Sequence, residues 1–108
     1  LILGFSFKEN CPDLRNTKVI DIINGLKGYH CQVDIVDPWV DAEEAYKEYD
    51  LKINKIITGT DYSAIVIAVN HSEFKVLDAA ILRKHMNNRG IIYDVKGGYN
   101  ANEVEGQL

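Results

Sequence analysis

The sequence predicts a small α/β domain: a doubly wound, Rossmann-like parallel sheet with helices on both faces. Three observations predict it. Strand-like and helix-like stretches alternate along the chain. Residues 62–69, Tyr-Ser-Ala-Ile-Val-Ile-Ala-Val, form the near-continuous apolar run of a strand buried on both faces. Each strand-like stretch also ends in a polar loop, and open parallel sheets bind their ligands at that edge. With 108 residues the chain is read as one domain, 1–108, large enough to bury roughly 60–70% of its unfolded surface.

The first element is an apolar run that ends at Gly4 to Phe7. A polar loop follows, and then Val19, Ile22, Ile23 and Leu26 recur at helical spacing. Asp13 and Asn16 are expected to accept from the free amides at the start of this helix, and Gly28 to stop it after Lys27. Residues 32–36 alternate and are β-branched, which reads as a second strand. Pro38 ends it, because proline has no N–H to donate to a ladder. Asp41 then caps a short helix with Glu43 and Glu44 in its first turn. Its expected buried face is Ala42, Ala45, Tyr46 and Tyr49. Within 51–59, residues 52–54 read as an edge strand, and Ile56 and Ile57 fit strand or helix equally. After the 62–69 strand, 70–74 is a polar loop. Asp78 caps a helix expected to run through Met86, Gly90 breaks the chain, and 91–93 is the last strand. The tail from Tyr99 is expected to fray. This gives four strands and one doubtful one.

The net charge of −4 and a pI near 5.3 argue against general nucleic-acid binding, which needs a basic surface. Cys11 and Cys31 lack zinc-ligand spacing and are too few for a disulfide framework; both are read as reduced, which implies a cytoplasmic protein. No metal site is expected. No apolar run reaches the roughly 20 residues of a membrane span. The chain opens inside a strand without Met and is read as a segment of a longer protein.

Lys8 and Arg15 lie in a loop feeding a helix start, a setting that suits an anionic ligand; the alternative is two solvated cations beside Glu9 and Asp13. Lys96 follows another strand in Asp94-Val-Lys-Gly-Gly, where glycines allow close approach; its alternative is a plain turn. Neither G-x-G-x-x-G nor the P-loop pattern is present. His71 reads as a hydrogen-bonded loop histidine, because no nucleophile or metal partner stands at an informative spacing. Trp39 fits base stacking and packing equally. Cys11 reads as a structural loop cysteine, without the base and oxyanion site a nucleophile needs.

Residues 4–18, Gly-Phe-Ser-Phe-Lys-Glu-Asn-Cys-Pro-Asp-Leu-Arg-Asn-Thr-Lys, carry a resemblance together with Val33-Asp-Ile-Val-Asp-Pro-Trp-Val40, Ala68-Val-Asn-His-x-x-Phe74 and Tyr93-Asp-Val-Lys-Gly97. The chain resembles, over nearly its whole length, the carboxyl-terminal UDP-binding domain of the UDP-glucose/GDP-mannose dehydrogenase family. Within that family it looks most like the 6-dehydrogenases of UDP-N-acetylglucosamine or UDP-N-acetylgalactosamine. The resemblance implies an NAD-dependent enzyme that oxidises a sugar C6 alcohol to a carboxylate for surface polysaccharides. It also implies an amino-terminal domain that binds most of the NAD, a central dimerisation domain and a homo-oligomeric full-length chain. Phe7 and Lys8 inherit contacts to the UDP-sugar and Arg15 a contact on the NAD side; Lys96 matches a basic substrate-side residue more loosely. The family's nucleophilic cysteine and glycine-rich NAD fingerprint are not in this segment, which is therefore expected to be inactive alone. The rival readings are a freestanding flavodoxin-like or receiver-like module, and an assembly domain using Trp39 and the acidic helix.

Overall fold

The computed structural model describes residues 1–108. Six parallel strands form one sheet in the order β3-β2-β1-β4-β5-β6, with β1 at Ile2–Leu3, β2 at Ile35–Val36, β3 at Ile53–Asn54, β4 at Tyr62–Ile67, β5 at Met86–Asp94 and β6 at Gly106–Gln107. The helices are α1 at Val19–Gly28, α2 at Ala42–Tyr49 and α3 at Ala79–Arg83. The chain starts mid-sheet, builds outward through β2 and β3, and returns to the other side of β1 with β4. The strand order therefore reverses between β1 and β4, and that switch point is where such sheets open a crevice.

Side chains alternate across the sheet with period two. Ile2, Ile35 and Ile53 point into one core with Val19 and Ile23 of α1 and Ala45 of α2. Leu3, Val36, Ile65, Ile67 and Ile92 point into the other, with Ala79 and Leu82 of α3. The expected doubly wound sheet is thus present, with helices on both faces. Gly4 has φ +93°, and a Cβ there would lie 2.5 Å from the Val69 carbonyl oxygen. Glycine is required at this crossing on both counts.

Several expected details are corrected. Asp13 and Asn16 do not cap α1. Thr17 Oγ1 accepts from the Val19 amide and donates to the Phe5 carbonyl at 2.6 Å, so the helix is tied to the end of β1. Asp41 does cap α2, but Tyr46 is exposed and Ala42 too; Ala45 and Tyr49, four apart, suffice to fill the core. Residues 56 and 57 are neither strand nor helix. Asp78 caps α3, which ends at Arg83 because Met86 already pairs with Tyr62. Gly90 does not break the chain but sits where the β4/β5 register shifts. The tail does not fray: β6 pairs with β5, Val104 is buried, and Gln107 donates to Asp94 and to the Tyr99 carbonyl.

Candidate functional site

The loops after β1, β2 and β4 meet at the carboxyl edge around one buried hydrogen-bond network. Asp37 is the residue that follows β2, and it is fully buried. Its Oδ2 accepts from the amides of Phe5 at 2.7 Å and Ser6 at 3.0 Å and from His71 Nε2 at 2.9 Å. Its Oδ1 accepts from the amides of Trp39 and Val40 at 2.8 and 3.3 Å. Burial alone would raise its pKa, but the His71 bond and the Phe5, Trp39 and Ser6 amides outweigh it and hold the carboxyl below its usual range.

His71, fully buried at the end of β4, completes the junction. Its Nδ1 accepts from the Asn10 amide at 2.9 Å, which leaves the ring proton on Nε2, facing Asp37. Asn10 Oδ1 returns a bond to the Ser72 amide at 2.8 Å. Trp39 stacks beside the imidazole with centroids 6.1 Å apart and donates its Nε1 hydrogen to Glu73. That indole hydrogen bond, foremost, lowers the Glu73 pKa.

Phe7 and Lys8 project from this frame. The Phe7 ring is 52% exposed, and the Lys8 ammonium is exposed without an ion pair. Arg15 is also exposed, and it bonds Asp13 through Nε at 3.1 Å and its terminal nitrogen at 3.3 Å. The Arg15 hydrogen bonds hold the Asp13 pKa below its usual range. Lys96 lies in the β5 loop, which is organised by a second buried carboxylate: Asp94 accepts from the amides of Lys96, Gly97 and Tyr99. This loop meets the β4 loop at Gly98, where a Cβ would stand 2.3 Å from Asn70 Nδ2. Lys8 and Lys96 thus occupy one edge, in separate loops with Asn70 and His71 between them. A polar cleft of about 210 Å³ between the loops after β4 and β5 is lined by Asn70, Lys75, Asp78, Gly98, Tyr99 and Glu103, without Lys96. A larger one of about 560 Å³, lined by Leu26, Val33 and Tyr62, opens at the opposite, amino edge and is not near these cations.

The sequence marks Asp37 as part of the Asp37-Pro38 turn and Asp94 as the end of a strand, but not their role as the carboxylates that organise the loops. The signal was there, since Asp37 and Asp94 each directly follow an apolar strand. Phe7, Lys8 and Arg15 lie between β1 and α1 and Lys96 lies after β5, and His71 is a buried, hydrogen-bonded loop histidine. Cys11 and Cys31 are free thiols, and no three metal-ligating side chains cluster. No helix is long and apolar enough to cross a membrane.

A Rossmann-type parallel sheet whose order reverses between β1 and β4 belongs to the class of α/β domains that bind their ligands in the crevice at that edge. The chain belongs to the UDP-glucose/GDP-mannose dehydrogenase family: that family's UDP binding domain matches residues 1–101. It is 47% identical over 96 residues to the UDP-N-acetyl-D-glucosamine 6-dehydrogenase of Salmonella typhi, covering 89% of this chain and 23% of that protein. To the enzyme of the same name from Pseudomonas aeruginosa it is 48% identical, with the same coverage. Among solved structures, the UDP-N-acetyl-mannosamine dehydrogenase of S. aureus superposes with a TM-score of 0.72 at 23% identity, over 98% of this chain and 24% of that one. The chain spans about a quarter of the length of these relatives.

Proposed function

We propose that this domain binds the nucleotide end of a UDP-sugar in a 6-dehydrogenase that oxidises a UDP-N-acetylhexosamine, or UDP-glucose, to the uronate for surface polysaccharides. The observation that carries it is the exposed Phe7 and the exposed, unpaired Lys8, consecutive in the loop at the switch point, whose flanks are pinned to buried groups. Lys8 and Phe7 contact the UDP-sugar and Lys96 approaches it from the β5 loop. In this reading the chain is the carboxyl-terminal part of a cytoplasmic homo-oligomer. An NAD-binding domain and a central dimerisation domain precede it.

The chain does not form a dinucleotide cradle of its own. The Phe5 and Ser6 amides after β1 are taken by Asp37, and 15 residues separate β1 from α1. NAD, which would accept hydride from the sugar's C6, is held mainly by the preceding domain; here only the exposed Arg15 fits a contact to it. The domain's own work is to bind and orient. Calorimetry with UDP tests this: a saturable heat is expected, and silence at millimolar UDP overturns the assignment. The isolated domain should form no NADH from UDP-N-acetylglucosamine and NAD.

A further inference from the structure

Ser6, His71 and Asp37 have the composition of a hydrolytic triad but not its wiring. In such a triad the hydroxyl and the carboxylate engage opposite nitrogens of the imidazole. Here both meet Nε2, Ser6 Oγ at 3.2 Å and Asp37 Oδ2 at 2.9 Å. Nδ1 is occupied by the Asn10 amide, and the Ser6 hydroxyl donates to the Lys8 carbonyl at 3.0 Å. All three side chains are buried to within 1%, so no substrate reaches them.

These groups converge instead on the backbone of residues 5–10. Asp37 takes the amides of Phe5 and Ser6, Ser6 holds the Lys8 carbonyl, and His71 holds Asn10. Asn10 itself is left-handed at φ 51°, a conformation asparagine tolerates better than most residues. The anchors come from β2 and β4, at separations of 31 to 65 residues. The Phe7–Lys8 turn is therefore bracketed from across the sheet, at Phe5 and Ser6 on one side and Asn10 on the other, while its own bonds, Ser6 Oγ to the Lys8 carbonyl and the Phe7 amide to the Asp13 carbonyl, are local. A loop ordered before the ligand arrives does not charge that ordering against affinity.

We infer that His71 is a positioning residue for the ligand loop, holding the Asn10 amide through Nδ1 and, through its Nε2 proton, the Asp37 carboxylate that anchors Phe5 and Ser6, so that Phe7 and Lys8 are presented in their binding geometry. The inference rests on the reading that Phe7 and Lys8 contact the UDP-sugar. Two substitutions in the full-length chain divide the imidazole's functions. His71→Gln keeps a donor toward Asp37 but no acceptor where Nδ1 stands; His71→Asn keeps an acceptor near Nδ1 and withdraws the donor. Ser6→Ala is milder and removes only the hydroxyl.

Hydrogen exchange without ligand and calorimetry with UDP are measured together. His71→Gln should speed exchange of the Asn10 amide at least tenfold and weaken UDP about tenfold, equivalent to about 1.4 kcal/mol. The KM for the sugar nucleotide should rise while kcat at saturation holds. Ser6→Ala, which frees the Lys8 carbonyl, should shift affinity the same way by about threefold. His71→Asn, which keeps the acceptor for Asn10, should leave Asn10 exchange slow and UDP affinity within about threefold of wild type, and it decides the matter if His71→Gln does not fold. Wild-type UDP affinity in His71→Gln, or about a tenfold loss of affinity in His71→Asn with Asn10 exchange still slow, overturns the inference. Silence of the wild-type chain toward UDP overturns instead the reading beneath it, and unchanged Asn10 exchange in His71→Gln then overturns the loop-holding role as well.

Discussion

Replacing Asp37 by asparagine keeps the size of the side chain and removes its charge, so the cost falls on hydrogen bonding. Oδ2 accepts from three donors and Oδ1 from two. However the new amide is turned, its NH2 faces at least two donors that it cannot accept. Two stranded buried donors at about 1–3 kcal/mol each give a loss of about 2–6 kcal/mol, against a total stability of roughly 5–15 kcal/mol for a domain. At about 4 °C per kcal/mol, Tm should fall by about 8–24 °C. The acid limb should change too. Because folding lowers the Asp37 pKa, its contribution is complete above the unfolded value of about 3.9 and is lost as pH falls through the lower folded value. Thermal melts from pH 7 down to pH 3 should therefore show a shallower acid decline in Asp37→Asn than in wild type. A variant melting within about 2 °C of wild type at pH 7 would refute the account of Asp37 as the hub of the edge.

Lys8→Ala in the full-length enzyme should lower kcat/KM for the UDP-sugar roughly ten- to a hundred-fold, the loss of a charged hydrogen bond worth about 1.5–3 kcal/mol, with Tm unchanged because the side chain is exposed; wild-type kinetics would end its substrate role. Arg15→Ala should raise the KM for NAD more than that for the sugar nucleotide, and the reverse order would move Arg15 to the substrate side. Gly4→Ala should destabilise by about 1–3 kcal/mol from backbone strain and a similar amount from the clash with Val69, seen as a lower urea midpoint. An unchanged midpoint would show that the β1/β4 crossing has room to move.

The parts of the fold legible in the sequence are those encoded locally. The apolar run of β4, the Asp41 and Asp78 caps and the helical spacing of α1 each lie within one stretch of chain. What escaped depends on distant partners. β6 has two residues and no apolar alternation; it exists because β5 offers an open edge and Val104 enters the core beside Ile92. Tyr46 was placed inward by periodicity, but α2 sits at the sheet's rim, where a single buried stripe is all that the edge strand can cover. The exposed cations of this edge are legible from residue type and loop position. The junction that holds them is not, since Ser6, Asp37 and His71 are brought together only by the sheet.

That junction also decides which chemistry is left for a ligand. In a glycine-rich phosphate loop the amides after the first strand point at the bound anion and supply much of its stabilisation. Here the Phe5 and Ser6 amides bond Asp37, the Phe7 amide bonds the Asp13 carbonyl and the Asn10 amide bonds His71. The protein's own carboxylate occupies the electrostatic place that a pyrophosphate would take. The loop gains a fixed shape from this, and the amides next to the strand are no longer free to meet an anion. Lys8 and Lys96 are exposed at this edge without ion pairs, whereas Arg15 is already engaged by Asp13. Lysine suits such a place, as a compact charge on a flexible stem that needs no preset bidentate partner. In the β-α-β plan that elsewhere cradles a dinucleotide with its backbone, one buried aspartate after β2 here takes the first two amides of the loop, and the exposed charges left beside them are lysines.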